Sequence, residues 1–391
     1  MNIIKDKRIA IVGGGPGGLT LARLLQLKGA GVKVYERDIN KDVRVQGATL
    51  DLHEESGLKA LREAGLTDAF KENYRPGADL MRIIDKDANI LFDEHETPIS
   101  DKTFDEAVFR PEIDRGPLRK ILLDSLMPGT VIWDSHFICM KKINDSWRLE
   151  FKNGTTATAD IVIAADGANS KIRSYITSVV PFYTGFTAIE GTVYDAATNA
   201  PMISRLLKGG KIFAMGASKT LIVSAKGDGS LQFYTGFKAN ESWVQESGLD
   251  FTNNKQIAAW FQKEYGEWNN TWLELFENAE PAFIPRPLYC MPLDQYWDAQ
   301  PDITILGDAA HLMPPYAGEG VNMAMQDALE LSNCLTDDAF DDTRTAIAFY
   351  EEKMRARASE IAKETLEQTE SLHSEDAIQN MLNMFSYKAV D

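Results

Sequence analysis

Short apolar runs and glycine breaks punctuate the start of the chain. Arg8 to Val12 is β-branched and ends at a glycine cluster, after which Leu19-Thr-Leu-Ala-Arg-Leu-Leu25 repeats leucine at helical spacing. Gly29 to Gly31 stop that helix, and Val32-Lys-Val-Tyr-Glu36 alternates as a second strand. The pattern predicts a βαβ unit.

The same kind of core returns much later. From Trp147 to Phe151 an apolar-polar alternation meets Asn153-Gly154, a two-residue hairpin signal, and Ile161-Val-Ile-Ala-Ala165 reads as a buried strand ending at Asp166-Gly167. Ile303-Thr-Ile-Leu306 is another, ending at Gly307-Asp308, and a helix is predicted from Gly320 through Leu335. Between them, from about 178 to 292, short alternating segments such as Lys211–Met215, Leu221–Ser224 and Leu231–Thr235 predict an antiparallel sheet. Thr343 to Glu370 is rich in Ala, Glu, Lys and Arg, with apolar residues near helical spacing, so a long amphipathic helix is expected there.

The expected class is therefore α/β. A Rossmann-type dinucleotide domain is split into residues 1–177 and 293–340, an antiparallel-sheet substrate domain occupies 178–292, and a long C-terminal helix with a pocket-closing segment fills 341–391. A chain of 391 residues exceeds the size at which one core keeps growing, which fits two domains with a ligand between them.

Charge narrows the partners. With 41 basic against 58 acidic residues the net charge is −17, which argues against nucleic acid and anionic membranes. No stretch reaches the roughly 18 apolar residues of a membrane span, and no signal peptide is legible, so a cytoplasmic location is expected. A monomer is expected as well. Cys139, Cys290 and Cys334 are widely spaced and read as buried thiols, and the five histidines show no metal-ligand spacing, so no metal is expected.

Any cofactor phosphate must then be held by local geometry. Gly13-Gly-Gly15-Pro-Gly-Gly18 fits GxGxxG between a strand and a helix, where Gly13, Gly15 and Gly18 permit the turn and let N–H groups approach a pyrophosphate. Glu36, 18 residues after Gly18, can accept ribose hydroxyls and disfavours a 2′-phosphate, so FAD or NAD fits better than NADP at this site. Arg115 or Arg119 can fork onto a cofactor oxygen or phosphate, and Asp308 can accept from cofactor hydroxyls. The N–H groups of Gly320 and Val321, opening a helix, can stabilise negative charge on a bound group. Helix-surface arginines and a simple helix cap are the alternative readings of Arg115, Arg119 and Asp308. Pro314 to Gly320 reads as a rigid loop lining a cavity, with Pro315, Tyr316 and Gly318 toward the substrate and His311 structural.

In motif order, Gly13 to Gly18, Tyr35-Glu36-Arg37, Arg115 to Arg119, Asp166-Gly167 and Gly307 to Asn322 resemble the FAD-dependent aromatic hydroxylases over nearly the whole chain. The resemblance implies FAD in the split domain, with Arg37 and Asp166 beside it. It also implies transient reduction by NAD(P)H, with NADPH favoured, and attack on O2 to give a flavin C4a-hydroperoxide as oxidant. No side chain is then needed as a catalytic group.

Within that family, Arg44 to His53, Val131 to Asp134 and His311 to Gly318 look like the tetracycline-inactivating Tet(X) enzymes. That likeness implies that Arg44 contacts the nicotinamide cofactor, that Asp51 contacts FAD, and that Met381 and Phe385 close the pocket. The positions implied to hold substrate are Glu190, Lys211 and Gln232, where those enzymes use glutamine, arginine and histidine; Glu319 stands where a glutamine is usual. The expected activity is hydroxylation of a tetracycline-like or other aromatic polyketide, inactivating tetracyclines if the likeness extends to the pocket. The alternatives are a FAD-dependent reductase, a hydroxylase of an unrelated small aromatic, and a non-catalytic dinucleotide-binding redox sensor.

Overall fold

The computed structural model describes residues 3–43, 47, 49–96, 109–280 and 282–388, with side chains of the last helix described through Met384. In chain order the strands are β1 (Ile9–Val12), β2 (Val32–Tyr35), β3 (Leu50–Asp51), β4 (Met81–Asp85), β5 (Ile90–Asp93), β6 (Glu112–Ile113), β7 (Val131–Ile132), β8 (Phe137–Ile143), β9 (Ser146–Phe151), β10 (Thr156–Ala159) and β11 (Ile161–Ala164), then β12 (Phe182–Val193), β13 (Lys211–Gly216), β14 (Lys219–Ala225), β15 (Leu231–Lys238), β16 (Ile284–Cys290) and β17 (Ile303–Ile305).

The first sheet runs β17-β11-β1-β2-β7, and every pair is parallel. Every residue of β1, β11 and β17 is buried, as strands with both faces covered must be, which is why each is a continuous apolar run. The helix Pro16–Leu27 follows β1 directly, and β17, from far along the chain, completes the sheet beside β11. The split read from the sequence is therefore real. Asn153-Gly154 turns β9 into β10 with Gly154 at φ +82°, as its hairpin signal required.

The second sheet runs β16-β12-β15-β14-β13-β4-β5. It is antiparallel except where β13 meets β4 in parallel, with Lys211 opposite Met81. β4 and β5 come from residues that the sequence reading had placed in the first domain. Their local pattern marks them as strands but carries no sign of which sheet they join. The interval 178–292 also holds helices not expected from its alternation, among them Pro201–Leu207, Asn254–Glu264 and Leu273–Asn278.

Those helices explain the two faces of the sheet. Ile189, Val193, Leu221, Val223, Leu231, Phe233, Ile212 and Ala214 pack with Ile203, Ile257, Phe261, Leu275 and Phe276 into one core. Side chains alternate across a strand, so the other face carries Glu190 opposite Tyr234, and Gln232 opposite Ser224, which in turn faces Lys211. Met381, on the C-terminal helix Ala377–Lys388, is buried on that second face among Met81, Ile83 and Met215. Arg44 and the side chain of Phe385 lie outside the described residues.

The helix Gly320–Thr336 and the long helix Thr343–Leu372 complete the molecule, both close to their expected limits. Among the described residues no helix is long and apolar enough to cross a membrane. Cys290 and Cys334 are buried free thiols, whereas Cys139 is only half-buried, on the outer strand of its three-stranded sheet.

Tyr316 joins these parts. Its hydroxyl lies 3.3 Å from His373 Nε2, and His373 Nδ1 lies 2.7 Å from the carbonyl of Thr369. The Nδ1 proton is therefore donated to that carbonyl, leaving Nε2 to accept from Tyr316. A β-carbon at Gly236 would fall 2.3 Å from the Tyr316 oxygen and 2.6 Å from both His373 Nε2 and Thr220 Oγ1. Gly236→Ala is expected to lower stability by about 2 kcal/mol through overpacking, measured by denaturant unfolding. An unchanged midpoint would show that the loop and helix yield freely there.

Candidate active site

The glycines after β1 do different work. A β-carbon at Gly13, which sits at φ +115°, would lie 2.1 Å from the Ala165 carbonyl oxygen, and one at Gly18 would lie 2.2 Å from that of Gly13. These two let β1, β11 and the helix meet. At Gly15, by contrast, nothing lies within 4 Å, so the turn is open to solvent at the helix N-terminus, where N–H groups lack intrahelical partners. Glu36 is buried at the end of β2, where one oxygen accepts from Gly14 N at 2.6 Å and the other from Asp38 N at 3.0 Å.

The expected arginines divide. Arg119 is buried, paired with Asp38 at 2.9 Å and 5.5 Å above the Trp133 ring, while its Nη1 is buried without a partner. Arg37 is exposed. Arg115 is exposed too, but beside the second sheet: its Nε, the Tyr234 hydroxyl and Glu190 Oε1 lie 3.6, 3.4 and 3.8 Å from the β-carbon position of Gly47. Asp166 accepts from Lys171 N at 2.9 Å, and its second oxygen is buried and unpartnered; burial raises its carboxyl above the usual range.

On the third segment, Arg173 holds the Asp308 and Ala309 carbonyls at 3.1 and 2.6 Å, leaving the Asp308 side chain exposed. Asp308 Oδ1 is 4.0 Å from the β-carbon position of Gly320, so this carboxylate and the N-terminus of Gly320–Thr336, with Val321 in its first turn, face the same space. His311 is fully buried and lies 2.6 Å from Asp327. That contact holds the ring inside the core. The loop before Gly320 is fixed by Pro314, Pro315 and Gly318, the last at φ +73°.

Opposite that loop lies the polar face of the second sheet. Gln232 Nε2 donates to one Glu190 oxygen and Arg286 Nε to the other, while Gln232 Oε1 is buried without a partner. Lys211 donates to Glu112, and both sit beside Asp51. Burial is the largest influence on each; it raises the Glu112 carboxyl, but the charges of Glu112 and Asp51 outweigh it at Lys211 and raise that amine. Tyr316, expected to face substrate, has its hydroxyl 3.3 Å from His373 Nε2.

Several participants escaped the sequence. Asp38, Glu112, Arg173, Tyr234 and Arg286 belong to no motif, and His53, at the end of the Arg44 to His53 segment, was given no role. Only His53 carried a usable signal, because Asp51 and His53 alternate onto one side of an extended segment.

The comparisons agree with this geometry. Residues 6–103 and 297–365 match the FAD binding domain family, on both sides of the second sheet's main block. Monooxygenase asqM of Emericella nidulans is 28% identical over 451 residues, covering 99% of this chain and 97% of its own length. The 6-hydroxynicotinate 3-monooxygenase of Bordetella bronchiseptica is 25% identical and covers 91% of this chain and 90% of its own. A crystal structure from Photorhabdus luminescens subsp. laumondii, named as an FAD containing monooxygenase, superposes with a TM-score of 0.76 at 26% identity, covering 94% of this chain and 98% of that one. Tetracycline destructase Tet(51) shares the fold, with a TM-score of 0.73 at 18% identity over 99% of this chain and 96% of its own. The chain thus matches an FAD binding domain in two pieces and is similar along nearly its whole length to monooxygenases.

The residues present fit FAD. The open face at Gly15, the unpartnered Arg119 Nη1 and the unpartnered Asp166 oxygen are vacant hydrogen-bonding capacity of the kind a dinucleotide satisfies. Gly15→Ala is expected to leave the apoprotein's melting temperature unchanged while weakening FAD binding at least tenfold, about 1.4 kcal/mol. Gly18→Ala is expected to lower both. Equal FAD affinity in Gly15→Ala and wild type, by fluorescence titration, would remove the cofactor from this turn.

Proposed function

We propose that the chain hydroxylates a tetracycline-like or other aromatic polyketide, using NADPH and O2. The observation that carries this is the polar band formed by Glu190, Gln232 and Lys211 on one face of the second sheet, the face that Tyr316 of the Pro314 to Gly320 loop approaches at Gly236. Bound FAD supplies the activation of O2. The protein's own part is to hold the aromatic ring against the flavin edge and keep water out.

The band presents little free charge. Glu190 is neutralised by Arg286 and Lys211 by Glu112, so neither is available to grip a charged substrate group. What remains open is an acceptor. Exchanging the Gln232 amide ends would set two oxygens against each other at Glu190, so the orientation with Oε1 free is fixed. A substrate O–H or N–H satisfies it, which suits the phenolic and enolic hydroxyls of a polyketide. Met381, over Met81, Ile83 and Met215, supplies the apolar cover.

A second reading has its own support. The same acceptor suits a small hydroxylated heteroaromatic or aminophenol, the kind of compound named for the relatives 6-hydroxynicotinate 3-monooxygenase and 3-amino-4-hydroxybenzoate 2-monooxygenase. NADPH oxidation in air, with and without tetracycline or these small aromatics, followed by mass spectrometry of the product, separates the two. Strong stimulation by tetracycline and a product heavier by one oxygen atom is the expected result. Slow oxidation with tetracycline unchanged and a small aromatic hydroxylated would sink the polyketide assignment. Gln232→Leu is expected to raise KM for the true substrate roughly fivefold, the cost of one hydrogen bond of about 1 kcal/mol, with kcat little altered.

A further inference from the structure

His53 lies between two carboxylates. Its Nε2 is 3.0 Å from Asp51 Oδ2 on β3, and its Nδ1 is 3.2 Å from Glu319 Oε1, the residue that precedes the helix Gly320–Thr336. The ring is 2% exposed, so water cannot mediate either contact freely. A neutral imidazole carries one N–H and one lone pair, and would turn the lone pair on a carboxylate oxygen at hydrogen-bond distance. Only a ring protonated at both nitrogens satisfies both neighbours.

The backbone reinforces the contact. Asn322, fully buried in the first turn of that helix, accepts from His53 N at 3.0 Å and donates to the Asp51 carbonyl at 3.0 Å. Asp51 also faces the β-carbon position of Gly318, at 3.5 and 3.8 Å from its two oxygens. The loop and the helix N-terminus are thus joined to β3 by an ionic contact and an amide clasp. Among the described residues no group of acids, histidines or cysteines is arranged to hold a metal ion, so the triad is not read as a metal site.

We propose that His53 is held as an imidazolium and is a positioning residue for FAD: it fixes the Gly318-Glu319-Gly320 segment against Asp51 and keeps the N–H groups of Gly320 and Val321 aimed at the flavin. This rests on the assignment of that loop to the flavin. The charged groups around the ring are Asp51 and Glu319, with Lys211 and Glu112 behind Asp51. Without His53 the half-buried Asp51 and Glu319 carboxylates would face the same space with no cation between them.

Burial alone would lower the His53 imidazole below its ordinary value near 6.5, but the two carboxylates raise it to about 9. A histidine held protonated by folding contributes fully below its ordinary titration range, and loses that contribution as pH rises through about 9. The clamp is therefore intact at neutral pH.

Nitrogen-15 NMR of histidine-labelled, FAD-loaded protein reads the ring directly, with His53→Gln giving the assignment. Two protonated ring nitrogens at pH 7.5 are expected, and a neutral tautomer at that pH overturns the proposal. FAD affinity tests the positioning role. His53→Gln is expected to weaken binding at least about tenfold, because removing one member of a buried charge cluster strands the others. Adding Glu319→Gln should restore most of the loss, since it removes a stranded carboxylate, whereas a merely structural defect would not be rescued. Affinity that is unchanged in His53→Gln, or no better in the double variant, overturns the proposal. If His53→Gln does not fold, Glu319→Gln alone should shift the alkaline loss of FAD affinity to lower pH, and an unmoved profile overturns it. Weakened binding in Gly15→Ala with none in His53→Gln refutes the clamp alone; no weakening in either refutes the cofactor site itself.

Discussion

Asp327 is the point on which the cofactor half of the molecule is assembled. Fully buried, it accepts from the Gly307 N–H at 2.9 Å, lies 2.6 Å from His311 Nε2 and pairs with Arg357 at 2.7 Å. One side chain thereby ties the turn after β17, the short helix Asp308–His311, the helix Gly320–Thr336 and the long C-terminal helix. Burial opposes the charge on Asp327 and on His311, but each raises the other's preference for its ionised form, and Arg357 further favours the carboxylate. A buried cluster of this kind tolerates no missing partner: removing one typically costs about 3–5 kcal/mol. What it secures is the placement of Asp308 and Gly320 toward a common space.

The same principle recurs across the site. Lys211 meets Glu112, Arg286 meets Glu190, Arg119 meets Asp38 and His53 meets Asp51 and Glu319. Each of these charges is answered by another from a different strand or loop. An acidic chain can in this way hold an anionic cofactor without a basic surface, using backbone N–H groups at two helix ends and a few anchored side chains. The pairing also leaves amide and hydroxyl chemistry, rather than net charge, to recognise the substrate.

Much of this was legible in the sequence because it is local. The strand-glycine-helix unit of residues 8–36, the buried runs at 161–165 and 303–306 and the helices from Gly320 and Thr343 are written in periodicity and glycine spacing. What was not legible is pairing over distance. β4 joins β13 through a register that no local pattern encodes, and the helices packed on the second sheet are set by the aromatic core they share with it. Gln232 and Glu190 could be placed by family likeness, but their bond to each other depends on adjacent strands. The contact of Tyr316 with His373 is likewise hidden, since nothing in the sequence shows that Gly236 leaves room for it. Glu319 stood out only as a departure from a usual glutamine; its partner His53 gives that departure a physical sense.

We propose that FAD lies along the Gly15 turn and the N-terminus at Gly320, with its ring facing Glu190, Gln232 and Lys211. A crystal structure of the FAD-loaded protein tests it most directly. The predicted result is a pyrophosphate at Gly15 and an isoalloxazine ring between the loop of Pro315 to Gly320 and the polar face of the second sheet. A ring bound away from that face, or a loop displaced from Asp51 and His53 when FAD is present, would contradict it.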